Sequence, residues 1–489
     1  MTTFPYIEML YLLLPEIIIT VAALCVLSAD LTFLRKASLN LRTISASFLT
    51  CIGCALSAAW ILHTPTSIHL AEGMLVVTPA AQHVQIALLV ITALASLLYA
   101  GSTFTEHVSE YLSLMLLATV GMMLLVSTQN LLVLFLALEL LSLSLYVLAA
   151  FNKSSTRSSE AALKYFLFGG ISAAFLLFGF SLLYGLSNST DLAVVASSIH
   201  TAPLDPLLIV AFVMVLAGLG FKVAAAPFHF WAPDVYQGAP APSAALIASG
   251  SKVASFFILY QVMAVGLITA ADSSAHHSYA SGWAPAIAII AVLSMLLGNL
   301  AAIMQTSVRR LLAYSAIGHA GYMLLAILAH TSQSFTALLY YAITYALTVL
   351  GAFGVIAIAE KQTGGDTLTD FAGFSRRAPI PSFCMLIFLL SLAGIPPLAG
   401  FFGKFYLFAS VLDATPGSLG LLWLVILAIA MSAVSLYYYL KVLKSIYVAD
   451  PPADAAPAQT SILHQIILCV IALGVVLLGC MPSLLLRWL

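Results

Sequence analysis

Long apolar runs separated by short polar connections set the pattern of this chain from end to end. Apolar windows fall near 6–28, 40–62, 82–104, 111–128, 130–150, 161–186, 206–226, 242–268, 283–304, 309–330, 334–359, 379–412, 418–447 and 461–486. Most have the length of about 18 to 25 residues that a helix needs to cross the hydrocarbon core of a bilayer. The pattern therefore predicts an all-α polytopic membrane fold of about fourteen spans. The twelfth window is too long for one straight helix and contains Gly394-Ile-Pro-Pro397, so a broken helix is expected there. The seventh runs into Pro227, which removes a backbone donor from otherwise spanning sequence, and it is expected to break as well. No stretch of soluble-domain size is left over. The longest connections, Ser187 to Asp205, Glu360 to Arg377 and Val448 to Thr460, are rich in Gly, Pro, Ser and Asp.

The two broken windows lie five spans apart, and each has a lysine close to its break: Lys222 before Pro227, Lys404 after Pro396-Pro397. An odd offset makes the matching helices run in opposite directions, which is the arithmetic of an inverted-topology repeat. Spans 4–8 are then expected to match spans 9–13. The corresponding boundaries are 1–110 for the first three helices, 111–268 and 283–447 for the two five-helix repeats, and 448–489 for a loop and the last helix.

Composition sharpens this picture. The chain is 62% hydrophobic and 7% charged, against about 25% charged residues in soluble domains. A net charge of −1 gives no reason to expect nucleic acid as a partner; the lipid bilayer is the expected one. The first apolar run, Ile7 to Ser28, lacks a basic segment before it and a small-residue cleavage site after it, and reads as a span. Basic residues in the connections are one-sided. With the N-terminus outside, the inner connections collect Arg35, Lys36, Arg42, Lys153, Arg157, Arg309, Arg310, Lys361, Arg376, Arg377, Lys441 and Lys444, and the outer side only Arg487. Both termini are thus expected outside. Arg309 and Arg310 read as topology determinants, and Tyr437, Tyr438 and Tyr439 before Lys441 as an aromatic anchor at the inner surface.

Metal and redox chemistry find little support. Cys51-Ile-Gly-Cys54 has ligand-like spacing but no second pair, which favours a structural role. Haem and iron–sulfur patterns are absent, so no redox centre is expected in this chain. His276-His277 has no carboxylate or cysteine at ligand spacing, and Asp234 reads as a residue shaping the turn before Gly238.

The chemistry lies in the charges within the apolar runs: Glu139, Lys164, Lys222, Lys252 and Lys404, with His319 as a sixth candidate. Each charge at a helix centre opposes insertion by about 2.5–3.5 kcal/mol, and the set by on the order of 10 kcal/mol. Any one of them is accounted for by an ion pair that fixes helix packing; the set points to a charge relay. Glu139 follows Asn130 by nine residues, about 13 Å into its span. A buried Glu/Lys pair can switch which partner carries the proton when a neighbour moves or a charge approaches, and Glu139 with Lys222 is the first choice of pair. Lys222 is read as part of an ion path, because a broken helix is tolerated at membrane depth only where protein or a water-filled cavity covers the freed backbone groups. The alternative is a helix-end lysine that snorkels to the headgroups. His229, at the same break, either relays a proton or caps freed carbonyls. His319 suits a relay by its titration near neutral pH, or serves packing through hydrogen bonds.

Four stretches carry a resemblance: PFHFWAPDVYQGAPAP (Pro227 to Pro242), SGSKVASF (Ser249 to Phe256), RRLLAYSAIGHAGYM (Arg309 to Met323) and SLAGIPPLAGFFGKFYLF (Ser391 to Phe408). They resemble the antiporter-like membrane subunits of respiratory complex I, the bacterial proton-pumping NADH–quinone oxidoreductase, over essentially the whole chain. The runs Tyr236-Gln-Gly238 and Gly403-Lys-Phe405 look most like the subunit N branch of that family. The resemblance implies a proton-translocating role, with the family's proton-path positions falling on Glu139, Lys222, Lys252 and Lys404, and accessory relay positions on His319 and Lys164. It implies no cofactor in this chain, flavin (FMN), iron–sulfur clusters and quinone being held by partner subunits. It also implies other membrane subunits as partners and the bacterial cytoplasmic (inner) membrane as location. Two related readings stand beside it: a subunit of a multi-subunit cation/proton antiporter, which shares the broken helices and the Glu/Lys pair, and a subunit of a membrane-bound hydrogenase or formate-linked complex, both of which use related subunits. A non-transporting scaffold is the third.

Overall fold

The computed structural model describes residues 6–64, 68–199, 206–267, 282–414, 420–451 and 460–489. In chain order the first helices are α1 (Tyr6–Leu12), α2 (Leu14–Ala29, extended by a π-helical turn, Asp30–Leu34), α3 (Leu39–Ile61), α4 (Pro79–Tyr99), α5 (Val108–Val126), α6 (Leu131–Ala149) and α7 (Thr156–Ser187). There follow α8 (Leu192–Ser198), α9 (Pro206–Val223), α10 (Trp231–Gly238), α11 (Ala241–Ala248), α12 (Gly250–Tyr260, extended by Gln261–Gly266), α13 (Ala284–Ile303) and α14 (Val308–Ala329). The chain closes with α15 (Ser332–Thr363), α16 (Phe374–Arg377), α17 (Pro379–Ala393), α18 (Ala399–Asp413), α19 (Leu422–Tyr447), α20 (Ile462–Cys480) and α21 (Ser483–Leu486). Among the described residues thirteen helical segments are long and apolar enough to cross a membrane, and α17 is a shorter apolar helix. The chain is a multi-pass membrane protein. A small antiparallel hairpin, β1 (Ile68–Leu70) with β2 (Leu75–Val77), lies between α3 and α4; the apolar pattern did not predict it.

Polar residues at the ends of the apolar runs define where the helices begin. Ser38, Thr78, Asn130, Ser155, Ser307 and Thr331 each accept a hydrogen bond from an amide of the first turn, satisfying donors that have no partner within the helix. At the other ends, Asn188, His330, Gly364 and Gly394 take left-handed conformations that stop α7, α14, α15 and α17.

The helices form two compact units, Met1–Lys222 with Val253–Pro285, and Val223–Lys252 with Ala286–Leu489. Matching features recur at the five-span interval that the sequence predicts. Helices α6 and α14 begin at the caps Asn130 and Ser307, and each is followed by a helix of 32 residues, α7 and α15. Each cap residue forms an isolated antiparallel bridge with the connection beyond that long helix, Asn130 with Asp191 and Ser307 with Thr367. The next spanning helix in each half is broken, between Val223 and Trp231 and between Ala393 and Ala399.

Two expectations are corrected. The eighth window is not one helix: Ser249 (φ −112°, ψ −85°) separates α11 from α12, three residues before Lys252. Ser249-Gly250-Ser251 within an apolar run is the signal, since Gly/Ser steps are a recognised cause of kinks. The tyrosines of α19 are not a surface anchor as a group. Only Tyr437 is exposed, whereas Tyr438 and Tyr439 are fully buried, on the face that also carries the buried Ser435 and Val442. The His276-His277 pair lies outside the described residues.

Candidate functional site

In the first unit, α6 and α9 bring Glu139 and Lys222 within electrostatic range of each other. Lys222 occupies the last turn of α9, and its ammonium is buried without a hydrogen-bond partner. It lies 5.8 Å from the ring centroid of Tyr146 and 5.9 Å from that of Tyr165. At such range a ring face attracts a cation without accepting its proton. Glu139 is half-buried, and its Oε1 also lacks a hydrogen bond. Neither Lys222 Nζ nor Glu139 Oε1 is locked by a hydrogen-bond partner, so the charge of each is left to burial first and to the other's charge second. The snorkelling alternative for Lys222 fails, because the residue is 3% exposed.

The break after α9 is stabilised within the second unit. The Ala226 amide donates to Ser294 Oγ of α13 at 2.8 Å. His229 is buried and stacked on Phe230, with ring centroids 4.7 Å apart, and its Nδ1 has no hydrogen bond. That nitrogen caps no carbonyl.

The second unit gathers three more of the sequence candidates, Lys252, His319 and Lys404, all buried. Lys252 Nζ donates to the carbonyl of Ala316 at 2.7 Å and lies 5.7 Å from the Tyr345 ring. His319 Nδ1 is 2.6 Å from the Tyr341 hydroxyl and Nε2 is 3.2 Å from that of Tyr439, which in turn hydrogen-bonds Ser315 Oγ. Both Lys252 and Lys404 act electrostatically on His319. Lys404 Nζ donates to the carbonyls of Leu392 and Ala393 at 3.0 and 3.1 Å and to Ser432 Oγ at 2.7 Å. Those carbonyls are at the C-terminal end of α17, where the break leaves acceptors without helical partners and the helix dipole favours a cation. The broken helix thus supplies the seat for the lysine.

Lys164 stands apart from both groups. It is 2.7 Å from Glu160, one turn earlier on α7, on a face where the two side chains are 39% and 65% exposed. Asp234 is not a turn residue: it lies in α10 and pairs with Arg310 at 2.6 Å. Arg309 does more than mark topology. Its guanidinium pairs with Glu360 through Nε and Nη2, and its Nη1 donates to the carbonyl of Ala239 at 2.7 Å and to those of Gln237 and Tyr236 at 3.3 and 3.4 Å. Glu360 fell at the start of a predicted connection; α15 extends past it. The tyrosines around His319 were also missed, because a tyrosine in a span carries no formal charge to mark it. Among the described residues no group of His, Cys, Asp and Glu could hold a metal ion.

This arrangement has known counterparts. Residues 128–432 match the family described as the transmembrane region of the NADH:quinone oxidoreductase and Mrp antiporter proteins. A relative from Acidobacterium capsulatum, NADH-quinone oxidoreductase subunit N 2, is 55% identical over 99% of both chains. A chain of the respiratory complex I structure from Thermus thermophilus with bound aureothin superposes with a TM-score of 0.79 at 34% identity, covering 97% of this chain and 98% of that one. A chain of the Mrp complex from Dietzia sp. superposes with a TM-score of 0.83 at 20% identity, covering 98% and 96%, a likeness of fold alone. The chain belongs to the subunit N family of the NADH-quinone oxidoreductases.

Proposed function

We propose that this chain carries protons across the membrane as a subunit of an NADH-quinone oxidoreductase, working with other membrane subunits. Electron transfer from NADH to quinone takes place elsewhere in the complex, on flavin and iron–sulfur groups of partner subunits. It changes the charge balance at the Glu139/Lys222 pair, and a proton then passes by way of Lys252 and His319 to Lys404. His229 at the first break and Lys164 on α7 are accessory positions. We place the chain in the bacterial cytoplasmic membrane with both termini on the outer side, on the strength of the one-sided Lys and Arg distribution. Residues 111–268 and 283–447 are taken as the two repeats.

One observation carries the reading: Lys252, His319 and Lys404 are buried in one core, Lys252 on the Ala316 carbonyl one turn before His319, His319 on the hydroxyls of Tyr341 and Tyr439, and Lys404 on two carbonyls and Ser432 Oγ. A packing role calls for oppositely charged partners, and this cluster holds two lysines and a histidine whose hydrogen bonds go to carbonyls and hydroxyls instead. The test is NADH-driven proton pumping in membrane vesicles carrying Glu139→Gln or Lys222→Ala. Pumping should fall while the complex stays assembled on native gels and the tag co-migrates with NADH dehydrogenase activity. Undiminished pumping in both variants would sink the proposal.

A further inference from the structure

The first three spans lie outside the two repeats, and they hold a buried carboxyl that the relay does not use. Glu16, in the first turn of α2, is 4% exposed. Its Oε1 accepts from Gln85 Nε2 of α4 at 2.8 Å, while its Oε2 is buried with no hydrogen-bond partner. It borders a small cavity beneath the β1–β2 hairpin, lined also by Thr64, Gln82, Gln85 and Ser127 among apolar side chains. The cavity measures about 10 Å³, the space of a single water molecule. The lining contains no titratable group besides Glu16. Tyr11 on α1, His63 after α3 and His83 on α4 are the nearest in sequence on the packed elements, and none of them lines it.

Other buried carboxylates of this chain are treated differently. Asp30, at the far end of the same span, takes both Nε and Nη2 of Arg42, at 2.7 and 2.6 Å. Glu360 takes the fork of Arg309. Asp366, also buried, has no arginine but receives two side-chain donors, Ser307 Oγ and Gln237 Nε2; Glu16 has no ion pair among the described residues and one side-chain donor, Gln85. A bare charge in such a place is strongly disfavoured, whereas a neutral acid needs only one acceptor for its O–H.

We propose that Glu16 is a proton-binding site in its own right, additional to the two lysine-containing groups, with Oε2 as the atom that takes the proton and the adjoining cavity as the route by which a water delivers and removes it. Binding converts carboxylate and a proton to the neutral acid, and release reverses this; no other bond changes. The inference does not rest on the translocation reading, since it concerns the resting protein.

Infrared difference spectroscopy on the assembled complex, in light and heavy water, tests it. A protonated-carboxyl band that shifts in heavy water is expected at neutral pH, and Glu16→Gln should abolish it. Gln85→Leu, which removes the one side-chain hydrogen bond to this carboxyl, should shift the same band, and it serves if Glu16→Gln fails to assemble. A spectrum in which neither variant changes a protonated-carboxyl band would overturn the proposal. So would a carboxylate band at Glu16 that responds to sodium at constant pH, which would make the cavity a cation site instead.

Discussion

The ammonium of Lys252 donates to the main-chain carbonyl of Ala316 at 2.7 Å, one turn before His319 on the same helix. This contact seats the lysine against the histidine-bearing turn of α14 through an acceptor that cannot itself take the proton. A lysine so placed can lose its proton; an arginine in its place stays charged at any accessible pH. Lys252→Arg and Lys252→Met should therefore both lower NADH-driven proton pumping by about tenfold or more, a barrier change of roughly 1.4 kcal/mol. A role in packing or charge balance alone makes a different forecast, with Arg rescuing what Met loses. Pumping rates in vesicles, normalised to NADH oxidation and to the amount of assembled complex, separate the two.

Lys404 is held differently. All three of its N–H donors are used, two on the carbonyls that end α17 and one on Ser432 Oγ of α19. Ser432→Ala leaves one donor of a buried cation without its partner, at a cost of about 1–3 kcal/mol. The complex should assemble, melt earlier in detergent, and turn over more slowly. A melting temperature equal to that of the unaltered complex would show that another acceptor takes the third proton.

The sequence made the architecture legible wherever a single residue type carried the message. Pro227 and Gly394-Ile-Pro-Pro397 marked the two breaks, and the lysines beside them marked the candidate site proposed above, because charge inside an apolar run is rare enough to need a reason. The kink at Ser249 was present as Ser-Gly-Ser, but small residues are also common in unbroken spans, and the weak signal lost to the apolar window. The tyrosines joining His319 to α15 and α19 were hidden for a different reason. Tyr439 beside Tyr437 and ahead of Lys441 has the composition of an interfacial belt, and only its buried face reveals its partner. Arg309 was counted among the inner charges, and nothing local to it points to Glu360, 51 residues away.

The ring of Tyr146 that faces Lys222 depends on a glycine of the neighbouring helix. A Cβ at Gly169 of α7 would lie 1.8 Å from the Tyr146 hydroxyl oxygen and 2.5 Å from the ring carbon bearing it. Gly169→Ala must displace the whole ring, a steric change that typically costs about 1–3 kcal/mol. Pumping should fall with it, since the ring faces the Lys222 ammonium with its centroid 5.8 Å away. Gly170→Ala is the control: beyond its own stretch of helix, no atom lies within 4 Å of its added Cβ, and alanine is favoured over glycine in a helix by about 1 kcal/mol. It should leave both melting and pumping intact. Equal effects of the two substitutions would mean that helix propensity is being measured, and not the seat of Tyr146.

Arg309 ties the end of α10 to α15. Its fork engages Glu360, and its remaining nitrogen collects the carbonyls of Tyr236, Gln237 and Ala239, which end α10 and lead into α11. Removing one partner of such a pair leaves a buried charge exposed to no compensating group, at about 3–5 kcal/mol. Glu360→Gln and Arg309→Met should each destabilise the complex on that scale, seen as early loss of NADH-linked pumping on heating. Arg309→Lys should not restore it, because a point charge cannot serve a carboxylate and three carbonyls together. The double variant Arg309→Met/Glu360→Leu removes both charges and should recover the electrostatic part of the loss. The carbonyls of residues 236–239 would remain without their donor, so recovery should stop short of the unaltered protein. Full recovery would mean that the ion pair, and not the hold on the end of α10, is what Arg309 contributes; no recovery would mean the reverse. In the second case, complex assayed before heating should already pump poorly, since α10 leads through α11 to the kink that precedes Lys252.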